Sequence, residues 1–400
     1  MTSAAILGPL NAIHELQAQL LEDVPDADAH RQFHPELGSL AWYLGRGVYQ
    51  ELYWLREKIT GDDDLSTRVA HLFTPGALPL AEQCAQLPPN DHLLNWAAEI
   101  WEAHLVRLAN PGGLPPHPLL EADRLPWFLL QEQARHYESM LMVLQLRSLE
   151  TPTDDYRVRE PLRASLPHYA THLIDQGHYR IGARNEPAAC DNELPPQAVE
   201  LAPYRIATRP VSNGDWLAFI EAGGYDDPAC WSQEGWAWRQ NETGAHPLTW
   251  RQDTQGQWYA LGINGPADLV ADQPVSGINR YEAEAFAKWA ASLGGALEGA
   301  VLQHEYQWEV AARTGGIEMY GRVWEWCANP FHAYPEFEPW PSTENSQAFF
   351  DAGYVSLRGG SLHTQRVRRR TSARHRLRPE QRFGFAGLRL VFPPGEETRW

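Results

Sequence analysis

The stretch that decides the fold begins at Gly321-Arg322-Val323-Trp324-Glu325-Trp326. It continues through Tyr334-Pro335 and Leu357-Arg358-Gly359-Gly360-Ser361, and closes at Gly387-Leu388-Arg389-Leu390-Val391. Trp-Glu-Trp alternates apolar and charged character, the pattern of a short strand with one face in a core. Arg-Gly-Gly-Ser lets the backbone take a positive φ or approach a neighbour closely. Each piece alone is ordinary core and turn; their order along the chain carries the information.

Composition sets the outer limits. A chain of 400 residues is long enough for two domains with separate cores, and its apolar and charged fractions of 43 % and 21 % are those of a globular protein. Seventeen tryptophans, most of them beyond Gln197, mark the C-terminal part as Trp-rich and loop-rich. A formal charge of −18 argues against general nucleic-acid binding, which needs a basic surface to neutralise phosphates. No apolar run reaches membrane-spanning length and the N-terminus lacks a charged-then-apolar pattern, so a cytoplasmic setting without membrane contact is expected. Cys84, Cys190, Cys230 and Cys327 are too scattered for a metal-type pair or a disulfide framework.

Helical periodicity dominates the first part of the chain, with apolar positions recurring at three and four over residues 6–21, 37–58, 91–108 and 127–149. Four amphipathic helices of this length make a bundle the economical architecture. A polar, Pro-containing break at 151–155 places the boundary, giving domains 1–155 and 156–400. Beyond it the pattern shifts to short alternating runs, as at 178–182 and 204–208, with helices expected at 212–222 and 280–293. The fold class is α+β.

The most informative polar set is Gln131-Glu132-Gln133-Ala134-Arg135-His136-Tyr137-Glu138, on the fourth helix. Glu132 and His136 stand at i and i+4, so both project from one face, as two ligands of one cation would. The same spacing also suits a hydrogen-bonded or solvated pair. Arg366, Arg368, Arg369, Arg370, Arg374, Arg376, Arg378 and Arg382 crowd into an otherwise acidic chain. Guanidinium forks match carboxylate or phosphate. Their alternative partners are Asp and Glu of the same chain or of a second subunit or protein partner.

The motif set from Gly321 to Arg389 resembles the formylglycine-generating (sulfatase-modifying) enzymes, which carry Gly-Asn-Val-Trp-Glu-Trp, Leu-Arg-Gly-Gly-Ser and Gly-Phe-Arg in this order. Here Arg322 replaces the Asn and Leu388 the Phe. No cysteine follows Cys327, so the cysteine pair that formylglycine generation needs is missing. Upstream, three runs extend the likeness: Gln32-Phe33-His34-Pro35 with Trp42-Tyr43-Leu44-Gly45-Arg46, Ile206-Ala207-Thr208-Arg209-Pro210-Val211-Ser212-Asn213-Gly214, and Ala222-Gly223-Gly224-Tyr225. With them nearly the whole chain resembles the ergothioneine-pathway sulfoxide synthases, of which the selenoneine synthases are a related branch.

That resemblance implies a DinB-like four-helix bundle followed by a loop-rich mixed domain of the formylglycine-generating-enzyme, C-type-lectin-like kind. It implies non-haem Fe(II) and O₂ joining sulfur or selenium to the imidazole of trimethylhistidine, with a thiol or a selenosugar as co-substrate. The three histidines that hold the family's iron map to Arg46, Glu132 and His136. Glutamate can ligate Fe(II); arginine stays protonated and has no lone pair to give. An Arg46–Glu132 ion pair tying the second helix to the fourth is therefore expected, with His30, His34 and Tyr43 as substitute donors. By the same resemblance Tyr334 is the catalytic candidate, and Arg135, Arg374 and Arg382 are the substrate-binding candidates. Two functions stay open: a synthase with a rearranged iron site, or an iron-free module binding a betaine, a carboxylate or a protein partner.

Overall fold

The computed structural model describes residues 4–110, 112–151, 153 and 155–394, and it divides into two compact units. The first takes in the chain up to Glu150 together with Glu186–Ala188 and Thr364–Arg368; the second takes in the rest. Pro152 and Asp154, within the expected boundary, lie outside the described residues.

Four long helices build the first unit: α1 (Ala4–Glu22), α3 (Leu40–Glu51), α6 (Asn90–Ala109) and α7 (Arg124–Leu149). Shorter helices α2 (Asp26–Ala29), α4 (Asp64–Phe73) and α5 (Leu80–Ala85) fill the connections. The second helix starts later than its apolar pattern, because the Ser39 side chain caps it by accepting from the Trp42 N–H at 3.2 Å. It does not run unbroken to Lys58 as an α-helix either. From Leu52 to Lys58 it widens into π-helical turns, a distortion that re-aims side chains at functional sites. Helix α7 is buried along most of its length, and its buried set includes Gln131, Glu132, Gln133, His136 and Glu138. So many polar groups inside a bundle require internal partners.

The second unit is a set of small sheets. One has the order β1 (Thr171–Ile174), β4 (Tyr204–Ala207), β13 (Leu390–Phe392), β8 (Val301–Leu302), all antiparallel. Another has the order β11 (His375–Leu377), β10 (Val355–Arg358), β9 (Trp324–Pro330), β12 (Ala386–Gly387), with β12 parallel to β9. Strands β2 (Gly177–Ile181) and β3 (Gln197–Leu201) pair with each other, as do β5 (Trp250–Gln252), β6 (Trp258–Gly262) and β7 (Gly265–Asp268). Helices α8 (Asn213–Glu221) and α10 (Arg280–Ser292) occupy the expected positions, each with a capping box, Ser212 with Asp215 and Asn279 with Glu282. Two more, α9 (Gln233–Asn241) and α11 (Glu305–Arg313), were not expected. Helix α11 hides its period because its buried face carries Glu305 and Glu309 beside Trp308 and Val310.

Those carboxylates show how this unit is held. Glu325, in the middle of Trp-Glu-Trp, does not face solvent as strand alternation suggests: it is fully buried, like both tryptophans. Arg389 grips it through two N–H donors at 2.8 Å, Trp308 donates its indole N–H at 2.9 Å, and Gln303 adds a bond at 3.3 Å. Arg389 also ties the Ala207, Thr208 and Glu318 carbonyls, so one side chain links three chain segments. Gly359 and Gly360 adopt φ of 100° and 79°, and a Cβ on Gly359 would meet the Trp308 ring at 3.2 Å. The Gly-Gly step is therefore required by both backbone conformation and packing.

Truncating one partner of a fully buried pair strands the other charge, which costs about 3–5 kcal/mol. Urea unfolding of Arg389→Ala should show a loss of about that size in the transition reporting the second unit. A loss below ~1 kcal/mol would mean Glu325 is not held by charge.

Candidate functional site

Helices α3 and α7 bring the sequence-derived residues together. Glu132, 6 % exposed, accepts from the Gln50 amide of α3 at 3.0 Å and pairs with Arg135, one turn along its own helix. Gln50, not Arg46, therefore supplies the hydrogen bond that ties Glu132 to α3. Arg46 instead donates to the Phe73 carbonyl and lies 5.6 Å from the Tyr49 ring centre. The expected Arg46–Glu132 bridge is replaced because Arg135 reaches the carboxylate without leaving its helix.

His136 is 4 % exposed, its Nδ1 is buried without a partner, and no hydrogen bond from a described residue reaches Nε2. Burial pushes its imidazole down to about 3, with the Arg135, Arg46 and Arg368 charges acting in the same direction against Glu132. The ring is thus neutral, with a lone pair and an N–H both unspent. Burial alone would raise the Glu132 carboxyl, but the Arg135 charge above all, with the Gln50 bond and Arg368, holds it below the usual carboxylate range. Tyr43 stands with its ring centre 6.0 Å from that of His136, and burial pushes its hydroxyl up to about 12.

The 364–368 segment completes this part of the unit. Thr364 donates its hydroxyl to Glu138 at 2.6 Å, and a 3₁₀ turn, Arg366–Arg368, ends on a half-buried Arg368. Among the described residues no hydrogen bond or ion pair engages the Arg368 guanidinium, although its charge acts on both Glu132 and His136. Gln131 anchors the other accessory segment by donating to the Ala188 carbonyl. Gln50, Thr364 and Arg368 were not singled out from the sequence. The only signal for Arg368 was the arginine-dense run, which does not say which of its members is left without a carboxylate.

This donor set does not fit a three-ligand iron centre. His136 offers one neutral imidazole, the Glu132 carboxylate is committed to Arg135 and Gln50, and three guanidinium charges oppose a dication. Among the described residues no group of three or more His, Cys, Asp or Glu is arranged to hold a metal ion. Of the substitute donors, His34 accepts from the Glu36 N–H through Nδ1 at 3.2 Å, Tyr43 accepts from the Gly38 N–H at 3.3 Å, and His30 has a buried, unpartnered Nε2.

The other candidates lie in the second unit's interior. Tyr334 is 2 % exposed, in a core cluster with Ile206 and Trp308, its ring 4.3 Å from the Arg374 guanidinium and its hydroxyl buried without a partner among the described residues. It is a core tyrosine, and burial drives its hydroxyl far above the usual range. Arg374 binds Glu305 through two bonds of 2.8 Å and donates to the Asn192 and His332 carbonyls. Arg382 binds Glu282 at 2.7 and 3.0 Å. Both were expected to hold a substrate anion. Internal glutamates occupy them instead, because a buried guanidinium needs a fixed counter-charge. Arg135 is spent on Glu132 in the same way.

Comparison with known proteins agrees with this architecture. The family described as the sulfatase-modifying factor enzyme 1-like domain matches residues 160–319 and 314–393. A hercynine oxygenase of Mycolicibacterium thermoresistibile is 30 % identical over 94 % of this chain and 92 % of its own. One from Mycolicibacterium smegmatis is 29 % identical over 93 % and 95 %. Ergothioneine biosynthesis protein 1 of Schizosaccharomyces pombe is 21 % identical over 76 % of this chain and 44 % of its own. The chain belongs to the sulfatase-modifying factor enzyme family and, within it, to the ergothioneine-pathway sulfoxide synthase-like group.

The depressed His136 imidazole makes metal-free protein acid-labile in a defined window. The unfolded histidine takes up a proton near its ordinary 6.5 and the folded one only near 3, so stability is lost as pH falls below 6.5. Between pH 7 and pH 5 the loss from this group is about 2 kcal/mol. Urea unfolding at the two pH values should show that much less acid sensitivity in His136→Gln. Equal sensitivity in both proteins would place the His136 imidazole in water.

Proposed function

We propose that this chain takes trimethylhistidine as its ligand, in the helical unit around His136, through a site that works as a binding pocket rather than as a three-histidine iron centre. Hercynine, the molecule in the relatives' names, is trimethylhistidine, and the likeness to those relatives runs along nearly their whole length. The observation that carries the reading is Arg368: a half-buried guanidinium without an ionic partner among the described residues, whose charge acts on an imidazole with both nitrogens unspent. Arg368 supplies five donors in a fork suited to the ligand's carboxylate. His136, neutral at physiological pH, exchanges a hydrogen bond with the ligand's imidazole, and Gln50 and Arg135 keep Glu132 from competing for Arg368.

A second reading rests on the same imidazole. A neutral, unbonded histidine is what a metal selects. An oxygenase joining sulfur or selenium to trimethylhistidine through a rearranged site with His136, Glu132 and a further donor would use it. It requires Glu132 to leave Arg135. Iron, when bound, would supply oxygen activation; the residues present assign no step to it.

Calorimetry with trimethylhistidine and metal-depleted protein separates the readings. Binding should persist without metal and weaken at least 10-fold, about 1.4 kcal/mol, in Arg368→Ala. Oxygen uptake with Fe(II), trimethylhistidine and a thiol or selenosugar should stay at background. No binding in wild type would sink the first reading. Iron-dependent turnover with about one iron per chain would establish the second.

A further inference from the structure

We propose a second ligand site, in the second unit, where Arg251 presents one edge of its guanidinium to a small organic anion, a carboxylate or a phosphate ester. Arg251 lies on β5, and the segment His246-Pro247-Leu248 before it gathers cations. Three successive carbonyls of that segment each accept from a basic side chain. Arg382 donates to the His246 carbonyl, the His246 ring to the Pro247 carbonyl at 2.9 Å, and Arg251 to the Leu248 carbonyl at 2.9 Å.

The charges around this segment do not balance. Arg382 has Glu282 at 2.7 Å and Glu242 at 3.6 Å, and Arg239 of α9 has Asp226 at 3.5 Å. Among the described residues no carboxylate pairs with Arg251. It is half-buried, and burial and the Arg382 charge both act against its proton, yet a guanidinium stays charged at any ordinary pH. Its Nη1 is spent on the Leu248 and Trp250 carbonyls, at 2.9 and 2.8 Å, which fixes the plane of the group. Nε and Nη2 have no partner among the described residues, and neither is sealed from solvent. That edge, with its two parallel N–H groups, is the one that grips a carboxylate or phosphate through paired bonds.

His246 registers the same surplus. A carbonyl only accepts, so Nδ1 carries the proton that bonds Pro247. Burial lowers the imidazole below its ordinary 6.5, and the Arg382, Arg251 and Arg239 charges lower it further against the Pro247 bond, so the ring is neutral at pH 7. An ammonium ligand would meet three guanidinium charges and be repelled. An uncharged hydroxyl would leave the surplus charge where it is. An oxyanion removes it while satisfying both free donors of Arg251. These groups belong to the second unit, whereas Arg368 and His136 belong to the first.

Calorimetry on the full chain, in low-salt buffer free of phosphate, takes benzoate and phenyl phosphate as probes and benzyl alcohol and benzylamine as controls. The phenyl ring suits half-buried Trp258, whose ring centre lies 5.4 Å from that of His246. One of the two anions should bind roughly 10-fold more tightly than either control, and the tighter one identifies the charged group. Arg251→Gln should weaken it by about 10-fold, the loss of one charge-assisted pair. Arg251→Lys, which keeps the charge and loses the paired donors, should fall between. Added anion should also shift the ring NMR resonances of His246. Arg368→Ala should leave the anion's affinity unchanged, and Arg251→Gln should leave trimethylhistidine binding unchanged, so failure here is distinct from failure of the site around His136. Circular dichroism checks the fold of Arg251→Gln, and Arg251→Lys decides if the glutamine variant does not fold. No binding of either anion, binding no tighter than the controls, or wild-type affinity in folded Arg251→Gln or in Arg251→Lys would each overturn the assignment.

Discussion

The commitment of one carboxylate organises the helical unit's polar interior. Glu132 is bonded by Gln50 from α3 and paired with Arg135 on its own helix, and burial is overcome strongly enough to keep it ionised. With Glu132 neutralised locally, the field at His136 is set by guanidinium groups: Arg135, Arg46 and Arg368 all lower its proton affinity, and burial lowers it further. A neutral histidine facing a surplus of fixed cations suits a ligand carrying negative charge and opposes a divalent metal. The charges of Arg46, Arg135 and Arg368 thus set what this interior can hold.

The second unit uses the same chemistry for a different end. Its buried carboxylates Glu282, Glu305, Glu309 and Glu325 are matched to Arg382, Arg374, Arg358 and Arg389. Pairs of this kind contribute less to net stability than their Coulomb attraction suggests, yet losing one partner is costly. They fix which segments meet, and they take up Arg374 and Arg382 of the dense arginine run. Thr364–Arg368 belongs to the helical unit, and among the described residues Arg368 has no such carboxylate.

The long helices were legible because each carries a sustained apolar stripe. Residues 6–21 and 91–108 read from the sequence became Ala4–Glu22 and Asn90–Ala109. Helix α11 was not legible, since Glu305 and Glu309 occupy core positions that only a distant arginine makes tolerable. The π-helical turns after Glu51 are invisible to periodicity, which assumes one fixed angle per residue. At the site, the neighbouring positions of Glu132 and His136 followed from helix spacing alone. Arg135 taking the place of Arg46 did not, because i,i+3 and cross-helix partners compete on side-chain reach that the sequence does not encode.

The guanidinium charges acting on His136 oppose a divalent metal there. X-ray data collected on either side of the iron absorption edge, from crystals grown aerobically with a ferrous salt and trimethylhistidine, test it directly. The expected result is no anomalous peak within bonding distance of His136 and a carboxylate seated against Arg368. An iron peak on His136, with Glu132 turned away from Arg135, would contradict it.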